Sequence, residues 1–434
     1  MNFVGATRKT RVMKVFFAVL VWVMVFPVYA AAQGAEADAV LDARIRAHRQ
    51  AELKLIVLDH ADGGAQGATI DIEQEAHAFR VGFRLPADGP PLPAGFDAEA
   101  PGWRAFNAVS LARRTGWRDL QPAGPGDFAG RRVRAALTEA AREGLAARWG
   151  PLVPDSVVDL PEWAVPLRGD DLRRVLAAYL DRVVGIYGQA VTGIDLPGQP
   201  ADGRLGFGLV RLLQQQADAL APGTPLNLTF GAGLVGPEAS PARRAAESAA
   251  QQFVGHHGLT LGARLGPDAA DVLDPALARW RGLSRPAVIE PLAVAEDPAL
   301  GSGENLRQVL RLLFAEPWVA GIYFGDTAAA TAGDPAAALF DDFGSPTAAG
   351  AVLDELFTQT WWTRAQVSAG PRGRASVRVF YGRHRVSVTL PDGSRFSTVL
   401  WVGPDDAGPR TVVLQPVSEV GLIDQSVEVD TATP

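Results

Sequence analysis

The fold class that the sequence predicts is α/β: a (β/α)8 TIM barrel with a small N-terminal β preface and a C-terminal β-sheet extension. From His77 onward, apolar strand-like runs alternate with amphipathic stretches of helical length, which is typical of βα units around a parallel sheet. Two of the runs, 191–196 and 286–292, lead into polar and turn-forming residues, as barrel strands do at their C-terminal mouth. After Trp362 the apolar pattern alternates with a period of two, which indicates strands.

The barrel is predicted to occupy residues 77–363. Barrels of this kind typically have about 250 residues, and insertions make them longer. Its eight predicted strands are 77–83, 106–111, 145–148, 191–196, 226–230, 259–265, 286–292 and 319–324. The predicted helices between and after them are 131–143, 170–186, 204–220, 240–252, 269–281, 303–315 and 347–359. Asp170 and Ser240 stand where helix N-termini favour such residues.

The segments on either side of the barrel are predicted to be small and rich in strands. Residues 38–76 are expected to form a helix and β preface, with the helix at 40–50 and strands at 53–59 and 68–74. Residues 364–402 are expected to form a C-terminal β-sheet, because runs such as 375–381 and 385–390 alternate cleanly. Residues 403–434 are expected to be a tail with one more strand candidate, 411–414.

Residues 1–37 have the pattern of a signal peptide. Basic residues (Arg8, Lys9, Arg11 and Lys14) precede an apolar run of about 14 residues at 15–28, and small residues follow, with Ala30, Ala32 or Ala37 as candidate cleavage points. The run is short for a membrane span, so export to the periplasm or the medium is predicted, with an uncleaved membrane anchor as the alternative. The sequence contains no cysteine, which excludes disulfides.

Composition narrows the function classes. The formal net charge is −7 and no stripe of Lys and Arg occurs after the first 37 residues, which argues against a nucleic-acid partner. The six histidines show no metal-ligand spacing, and no phosphate loop, nucleophile elbow or dinucleotide fingerprint is present. Neither a metal nor a cofactor is therefore predicted.

Two strand ends carry the candidate chemistry. The run Arg285–Glu290 ends with the carboxylate of Glu290. The run at 191–196 is followed by the amide Gln199. Glycoside hydrolysis by the common route needs two carboxylates facing each other across the scissile bond. An amide accepts and donates hydrogen bonds but has no proton to give at a useful pKa. The sequence therefore offers one half of such a pair.

Several motifs resemble those of glycoside hydrolase family 10, the endo-1,4-β-xylanase barrels. In chain order they are Phe79-Arg-Val-Gly82, Phe106-Asn107 with Trp117, Leu160-Pro-Glu-Trp163, Ile194-Asp-Leu-Pro-Gly-Gln-Pro200 and Trp361-Trp362-Thr363. They are collinear with the family's motifs over roughly 280 residues. The resemblance implies a family 10 barrel whose substrate is a polysaccharide of the plant cell wall or another glycan.

The same alignment implies that the catalytic site has eroded. Gln199 stands at the acid/base position, Gly198 at the preceding asparagine, and Glu290 at the nucleophile position. The resemblance further implies that sugar-contacting residues are replaced at six other positions. These replacements are Ala112-Arg113 for the Glu-Asn pair, Gly116 for lysine, Gly150 for histidine, Arg264 for the histidine of strand 6, and Phe324, before Gly325-Asp326, for tryptophan.

Candidate substrate-binding residues around this mouth are Arg113, Trp117, Trp163, Asp195, Arg264, Phe324 and Asp326. Arg113 and Arg264 would make the mouth cationic and suited to an acidic sugar, or they would point into solvent or pair with acids. Asp195 is a structural residue in the family, and its alternative role is a replacement acid. The indoles of Trp103, Trp149, Trp163, Trp318, Trp361 and Trp362 are platforms for sugars or packing residues.

Three functions remain open on the sequence alone. The first is a catalytically degenerate, exported glycosidase that binds a polysaccharide or acts as a scaffold. The second is an active glycosidase of the xylanase type with Glu290 as nucleophile and another acid, which requires a second carboxylate within roughly 5–10 Å of it. The third is a protein-interaction domain, in which side chains fill the mouth of the barrel.

Overall fold

The computed structural model describes the chain from residue 38 to residue 414 with internal gaps. The described residues are 38–85, 92–93, 96–111, 115–153, 159–198, 207–231, 233–251, 257–283, 285–297, 299–301, 303–325, 327, 338–404 and 410–414. The predicted signal peptide and most of the predicted tail lie outside them.

The centre of the fold is a sheet of eight parallel strands. In chain order they are β3 (Arg80–Arg84), β4 (Ala108–Ser110), β5 (Ala146–Arg148), β6 (Ile194–Pro197), β7 (Leu226–Phe230), β8 (Gly258–Leu265), β9 (Ala287–Val294) and β10 (Val319–Phe324). Their spatial order is β5-β4-β3-β10-β9-β8-β7-β6. A parallel bridge between Trp149 and Ile194 joins the two end strands and closes the barrel. The predicted (β/α)8 barrel is confirmed.

Helices surround this sheet, and all of them except the short α2 lie at predicted positions. They are α2 (Trp117–Leu120), α3 (Arg131–Arg142), α4 (Gly169–Tyr187), α5 (Phe207–Leu220), α6 (Ala239–Gln251), α7 (Ala269–Trp280), α8 (Glu304–Ala315) and α9 (Ala348–Glu355), preceded by α1 at 38–49. In α4, Leu172, Leu176 and Leu180 recur every fourth residue and are buried against the barrel. At α9, the Thr347 side chain accepts a hydrogen bond from the Gly350 amide, which caps the helix start.

The N-terminal and C-terminal segments fold together into a second unit. Its strands are β1 (Gln50–Val57), β2 (Thr69–His77), β11 (Arg364–Ser368), β12 (Arg374–Phe380), β13 (Gly382–Thr389), β14 (Arg395–Val402) and β15 (Arg410–Leu414). One sheet has the order β12-β1-β15 and the other β11-β2-β13-β14. Their inward-facing residues, such as Leu55, Ile70 and Val386, form one apolar core. The two sheets therefore make a β-sandwich to which both ends of the chain contribute.

The junction between the barrel and the sandwich contains buried polar groups. Arg49, at the end of α1, donates hydrogen bonds to the carbonyls of Phe314, Glu316 and Val319. His77, at the end of β2, is hydrogen-bonded through Nε2 to the Trp361 carbonyl at 2.5 Å. These bonds satisfy groups that would be costly to bury unpaired, so they fix how α1 and β2 meet the barrel.

One predicted strand is shifted. The sequence placed the first barrel strand at 77–83, whereas His77 closes β2 and the barrel strand β3 begins at Arg80. The apolar pattern runs through both elements, so it does not mark the break between them. None of the helices in the described part of the chain combines the length and apolarity that a membrane crossing needs.

Candidate active site

Every strand of the barrel sends one polar side chain into a network at the barrel centre. The members are Arg84 (β3), Ser110 (β4), Arg148 (β5), Asp195 (β6), Asn227 (β7), Thr260 (β8), Glu290 (β9) and Tyr323 (β10). Alternate residues of each barrel strand point inward, so these side chains lie together in the barrel interior. The network contains two carboxylates and two guanidinium groups.

Glu290 is buried and is contacted on both carboxylate oxygens. Its Oε1 accepts hydrogen bonds from Arg84 Nε at 3.0 Å and Ser110 Oγ at 2.6 Å. Its Oε2 lies 3.1 Å from Arg148 Nη1, and the Glu290 side chain is 2% exposed. The carboxylate at the predicted nucleophile position is therefore neutralised by two arginines and withdrawn from solvent.

Asp195 lies on the other side of the same guanidinium. Its Oδ1 pairs with Arg148 Nη2 and accepts hydrogen bonds from Thr260 Oγ1 at 3.1 Å and Asn227 Nδ2 at 3.2 Å. The hydroxyl of Thr260 in turn accepts a bond from Arg148 Nη2 at 2.7 Å. Asp195 is thus a buried carboxylate whose Oδ1 is bonded by three side chains.

Burial and charge work against each other on these groups. Burial lowers the pKa of Arg148, but the adjacent Asp195 and Glu290 carboxylates outweigh it and hold the pKa above its ordinary value. Burial raises the pKa of Asp195, and the Arg148 guanidinium opposes this only in part. Burial also raises the pKa of Tyr323 to about 12, and its ring lies 5.1 Å from the Arg148 guanidinium carbon. Arg148 is therefore a permanent cation at the centre of the network.

This arrangement is poorly suited to glycoside hydrolysis. A retaining enzyme holds two carboxylates across an open space that admits the glycosidic bond. Here Asp195 and Glu290 contact the same guanidinium, so a cation occupies the space between them. Neither carboxylate is more than 2% exposed. The arrangement joins separate barrel strands through buried ion pairs.

Two glycines lie where the protein leaves little space for a larger side chain. A Cβ atom at Gly198, where the resemblance implies an asparagine, would lie 2.5 Å from Cζ of the Phe230 ring. A Cβ atom at Gly150, where it implies a histidine, would lie 2.3 Å from the Asp195 Cβ. Gly150 also has a φ of 151°. Larger residues are therefore excluded by sterics at two positions that would bind sugar in the family.

The aromatic candidates at the mouth are packed into the interior. Trp117 is buried and donates from Nε1 to Gln121 Oε1 at 2.8 Å. Trp163 is half-buried, donates from Nε1 to the Gln121 carbonyl at 2.7 Å and meets the Trp117 ring edge-on. Phe324 is buried and packs against Phe106. These rings have their faces or edges against protein.

The remaining predicted site residues divide into one at the rim and three that the structure does not describe. Arg264 is exposed near the end of β8, in register with Ala293 of β9. Gln199, Arg113 and Asp326 lie outside the described residues. Within the part of the chain that is described, no group of His, Asp and Glu side chains has the arrangement of a metal site.

Six members of the network were not predicted as site residues from the sequence: Arg84, Ser110, Arg148, Asn227, Thr260 and Tyr323. Each lies on a predicted barrel strand or within one residue of its end. The signal available was a polar residue within or just after an apolar run, such as Ser110 after Ala108-Val109. That signal marks an inward-facing polar residue without naming its partner.

Comparison with known proteins identifies the fold. No protein family model matches the sequence, and no curated protein matches it either. Solved structures do match, and xylanases are among them. Xylanase 10B from Thermotoga petrophila RKU-1, in complex with xylobiose, has a TM-score of 0.56 at 16% identity, over 65% of this chain and 95% of that chain. Native xylanase 10B from Thermotoga maritima gives 0.56 at 16% identity, over 65% and 96%.

A third structure supports the same conclusion. A thermostable mutant of xylanase Xyn10A from Cellvibrio japonicus has a TM-score of 0.53 at 14% identity, over 64% of this chain and 98% of that chain. The shared region is nearly the whole of each xylanase. The resemblance predicted from the motifs is confirmed at the level of the fold: this chain contains the (β/α)8 barrel of the family 10 xylanases.

Proposed function

We propose that this protein is a catalytically degenerate glycosidase of the family 10 type that binds a polysaccharide without hydrolysing it. The observation that carries the proposal is the sealing of Glu290, which Arg84, Ser110 and Arg148 contact while only 2% of its side chain is exposed. A nucleophile has to reach the anomeric carbon, and general acid catalysis has to protonate the leaving oxygen. Glu290 is enclosed, and the acid/base position carries Gln199.

The proposed ligand class comes from structures with the same fold. Two of them contain xylo-oligosaccharides: the Thermotoga petrophila xylanase with xylobiose and a xylanase 10C mutant from Cellvibrio japonicus with xylopentaose. The proposed ligand class therefore rests on the analogy between these folds. We propose further that residues 1–37 direct export, which would bring the protein to extracellular glycans.

The decisive test is a turnover assay on the mature chain, residues 38–434. Purified protein and its Glu290→Gln variant would be incubated with glucuronoxylan beside an active family 10 xylanase, and reducing ends would be measured over days. We expect no release above the buffer control from either form. Release by the wild-type chain that disappears in Glu290→Gln would overturn the proposal and establish the active-glycosidase alternative.

That alternative has one observation in its favour. Burial raises the pKa of Asp195, and Asp195 contacts the same guanidinium as Glu290, so a second carboxyl group with acid character is close by. The expectation it makes is distinct, because any turnover would then also disappear in Asp195→Asn. The scaffold or protein-interaction alternative is favoured by the side chains that fill the barrel centre. It would be supported if the chain neither hydrolyses nor binds glycans.

A further inference from the structure

Exposed aromatic rings are the side chains on which sugars stack, and the barrel presents few of them. Among residues whose side chains the structure describes, the two large aromatics classed as exposed are Phe343, at 91%, and Trp401, at 49%. The indoles of Trp103, Trp117, Trp149 and Trp361 are buried in the barrel core. The exposed tryptophan therefore lies on the β-sandwich, away from the barrel mouth.

Trp401 stands on the outer face of the sheet with the order β11-β2-β13-β14. Along β14, exposed residues alternate with buried ones from Val399 to Val402, so Val399 and Trp401 share the outer face. Val399 is also exposed. In the register of the sheet, Trp401 lies opposite Arg383 and Val399 lies opposite Arg385. The result is an apolar strip next to a row of guanidinium groups.

Glu75 fixes the two arginines in place. Arg385 donates to Glu75 Oε1 from Nε at 2.8 Å and lies within 2.5 Å of it through Nη2. Arg383 meets Glu75 Oε2 through Nε at 3.0 Å, and its side chain is 56% exposed. Within the described residues, the terminal nitrogens of Arg383 have no hydrogen-bond partner, so they are available to an anion in the orientation that Glu75 sets.

The outer face carries a small excess of positive charge on an acidic protein. Four arginines (Arg364, Arg383, Arg385 and Arg395) face three carboxylates (Asp71, Glu73 and Glu75). The full chain has a net charge of −7. A partner of negative charge would therefore be favoured at this face over the rest of the surface.

We propose that this face binds an acidic polysaccharide, with a pyranose ring stacked on Trp401 and a uronic acid carboxylate paired with Arg383. Neighbouring strands lie about 4.8 Å apart, close to the width of one sugar ring, so a ring over the indole brings its substituents within reach of the guanidinium. Within the described residues β14 is an edge strand, so a long chain can extend past Trp401 without meeting another strand. The proposal deepens the proposed polysaccharide-binding function but places the ligand on the sandwich.

The test compares two polymers that differ only in their carboxylates. Binding of residues 38–434 would be measured by calorimetry and affinity electrophoresis with glucuronoxylan and with the same polymer after reduction of its carboxyl groups to alcohols. The variants are Trp401→Ala, Trp401→Phe and Arg383→Gln. Phe343→Ala serves as the matched exposed aromatic control, and Arg264→Ala probes the barrel mouth. Circular dichroism and thermal midpoints would confirm that each variant is folded.

We expect Trp401→Ala to weaken binding about tenfold or more, and Trp401→Phe to retain part of the affinity because an aromatic face remains. Arg383→Gln should weaken binding of glucuronoxylan about fivefold while changing binding of the reduced polymer little. Phe343→Ala and Arg264→Ala should bind like the wild type. We expect each variant to fold normally because the substituted side chains are exposed.

Other outcomes contradict the proposal in separable ways. Equal binding by Trp401→Ala and wild type, with loss in Arg264→Ala, would place the ligand in the barrel mouth and overturn the sandwich site while leaving polysaccharide binding intact. The proposal would also be overturned if the protein bound neither polymer. Binding of an added β-strand peptide, without binding of the polymer, would overturn it too. Hydrolysis in the turnover assay would overturn the proposed function without bearing on Trp401.

Discussion

Arg148 Nη1 lies 3.1 Å from Glu290 Oε2, and both side chains are 3% exposed or less. The same guanidinium pairs with Asp195 through Nη2, so one cation serves two buried acids. Buried ion pairs of this kind are costly to desolvate and hold together only while every partner is present. The contact therefore links the barrel's stability to the carboxylate at the predicted nucleophile position.

Replacing Arg148 with methionine should strongly destabilise the protein. Met fills a similar volume but leaves Asp195 and Glu290 without their shared cation, and breaking a buried pair in this way costs about 3–5 kcal/mol. The free energy of unfolding, measured by urea denaturation at pH 7.5, should fall by that amount.

A surface ion pair provides the control for this change. Arg174 pairs with Asp171 at 2.9 Å, with both side chains largely exposed, so Arg174→Met should change the free energy of unfolding by less than about 1 kcal/mol. If Arg148→Met were no more harmful than Arg174→Met, the network would not contribute as described.

Placing a carboxylate at residue 199 should not produce hydrolysis. Gln199→Glu returns a carboxylate to the acid/base position, but Glu290 still contacts Arg84 and Arg148 and stays enclosed. We expect no release of reducing ends from glucuronoxylan by this variant. Turnover in Gln199→Glu would show that a single substitution separates this chain from an active enzyme, contrary to the sealed-site interpretation.

Restoring the asparagine beside that position should destabilise the fold. A Cβ atom at Gly198 would meet the buried Phe230 ring at 2.5 Å, and overpacking of this kind costs about 1–3 kcal/mol. Gly198→Asn should therefore lower the thermal midpoint. Gly231→Asn is the control, because a Cβ atom there has no neighbour within 4 Å. Adding Phe230→Leu to Gly198→Asn should recover part of the loss, and failure to do so would exclude the ring as the obstacle.

The barrel was predictable because its signal is local. Apolar runs and amphipathic helices such as α4 occupy the predicted positions, since burial against one face fixes a period along the chain. The sandwich was not predictable as one unit, because the pairing of β1 with β12 joins segments from opposite ends of the chain. No local pattern in either strand names the other as its partner.

The site was predictable only in part, for the same reason. The position of Glu290 at a strand end could be inferred from its apolar run, but its contact with Arg148 depends on the register of separate strands. Trp401 was missed because Val399, Leu400 and Val402 beside it are also apolar. An apolar run of this kind does not show which of its residues face solvent. That depends on which face of the sheet packs against the rest of the protein.

The stability of the protein should decrease in acid because of two buried histidines. Burial lowers the pKa of His77 to about 4, and it lowers the pKa of His384 to about 4. An unfolded histidine has a pKa of about 6.5, so between pH 6.5 and 4 the unfolded chain binds protons that the folded chain does not. Stability is therefore full above pH 6.5, is lost as the pH falls through this window, and changes no further from these groups below it.

The loss should be measurable for each histidine separately. Between pH 7.5 and 4.5 each group should lower the free energy of unfolding by about 2 to 3 kcal/mol. His77→Gln and His384→Gln should each reduce this pH-dependent loss by that amount, whatever they do to stability at pH 7.5. The exposed His60, which contacts Ser394 at the surface, provides the matched control variant His60→Gln. The acid sensitivity of His77 comes from its aromatic surroundings. The centroid of its ring lies within 6.1 Å of the ring centroids of Phe314, Phe357, Trp362 and Phe380. These rings cannot solvate a protonated imidazole as water does, so the charged form is disfavoured. If His77→Gln kept the full acid sensitivity of the wild type, that apolar surrounding would not be what makes the junction sensitive to acid.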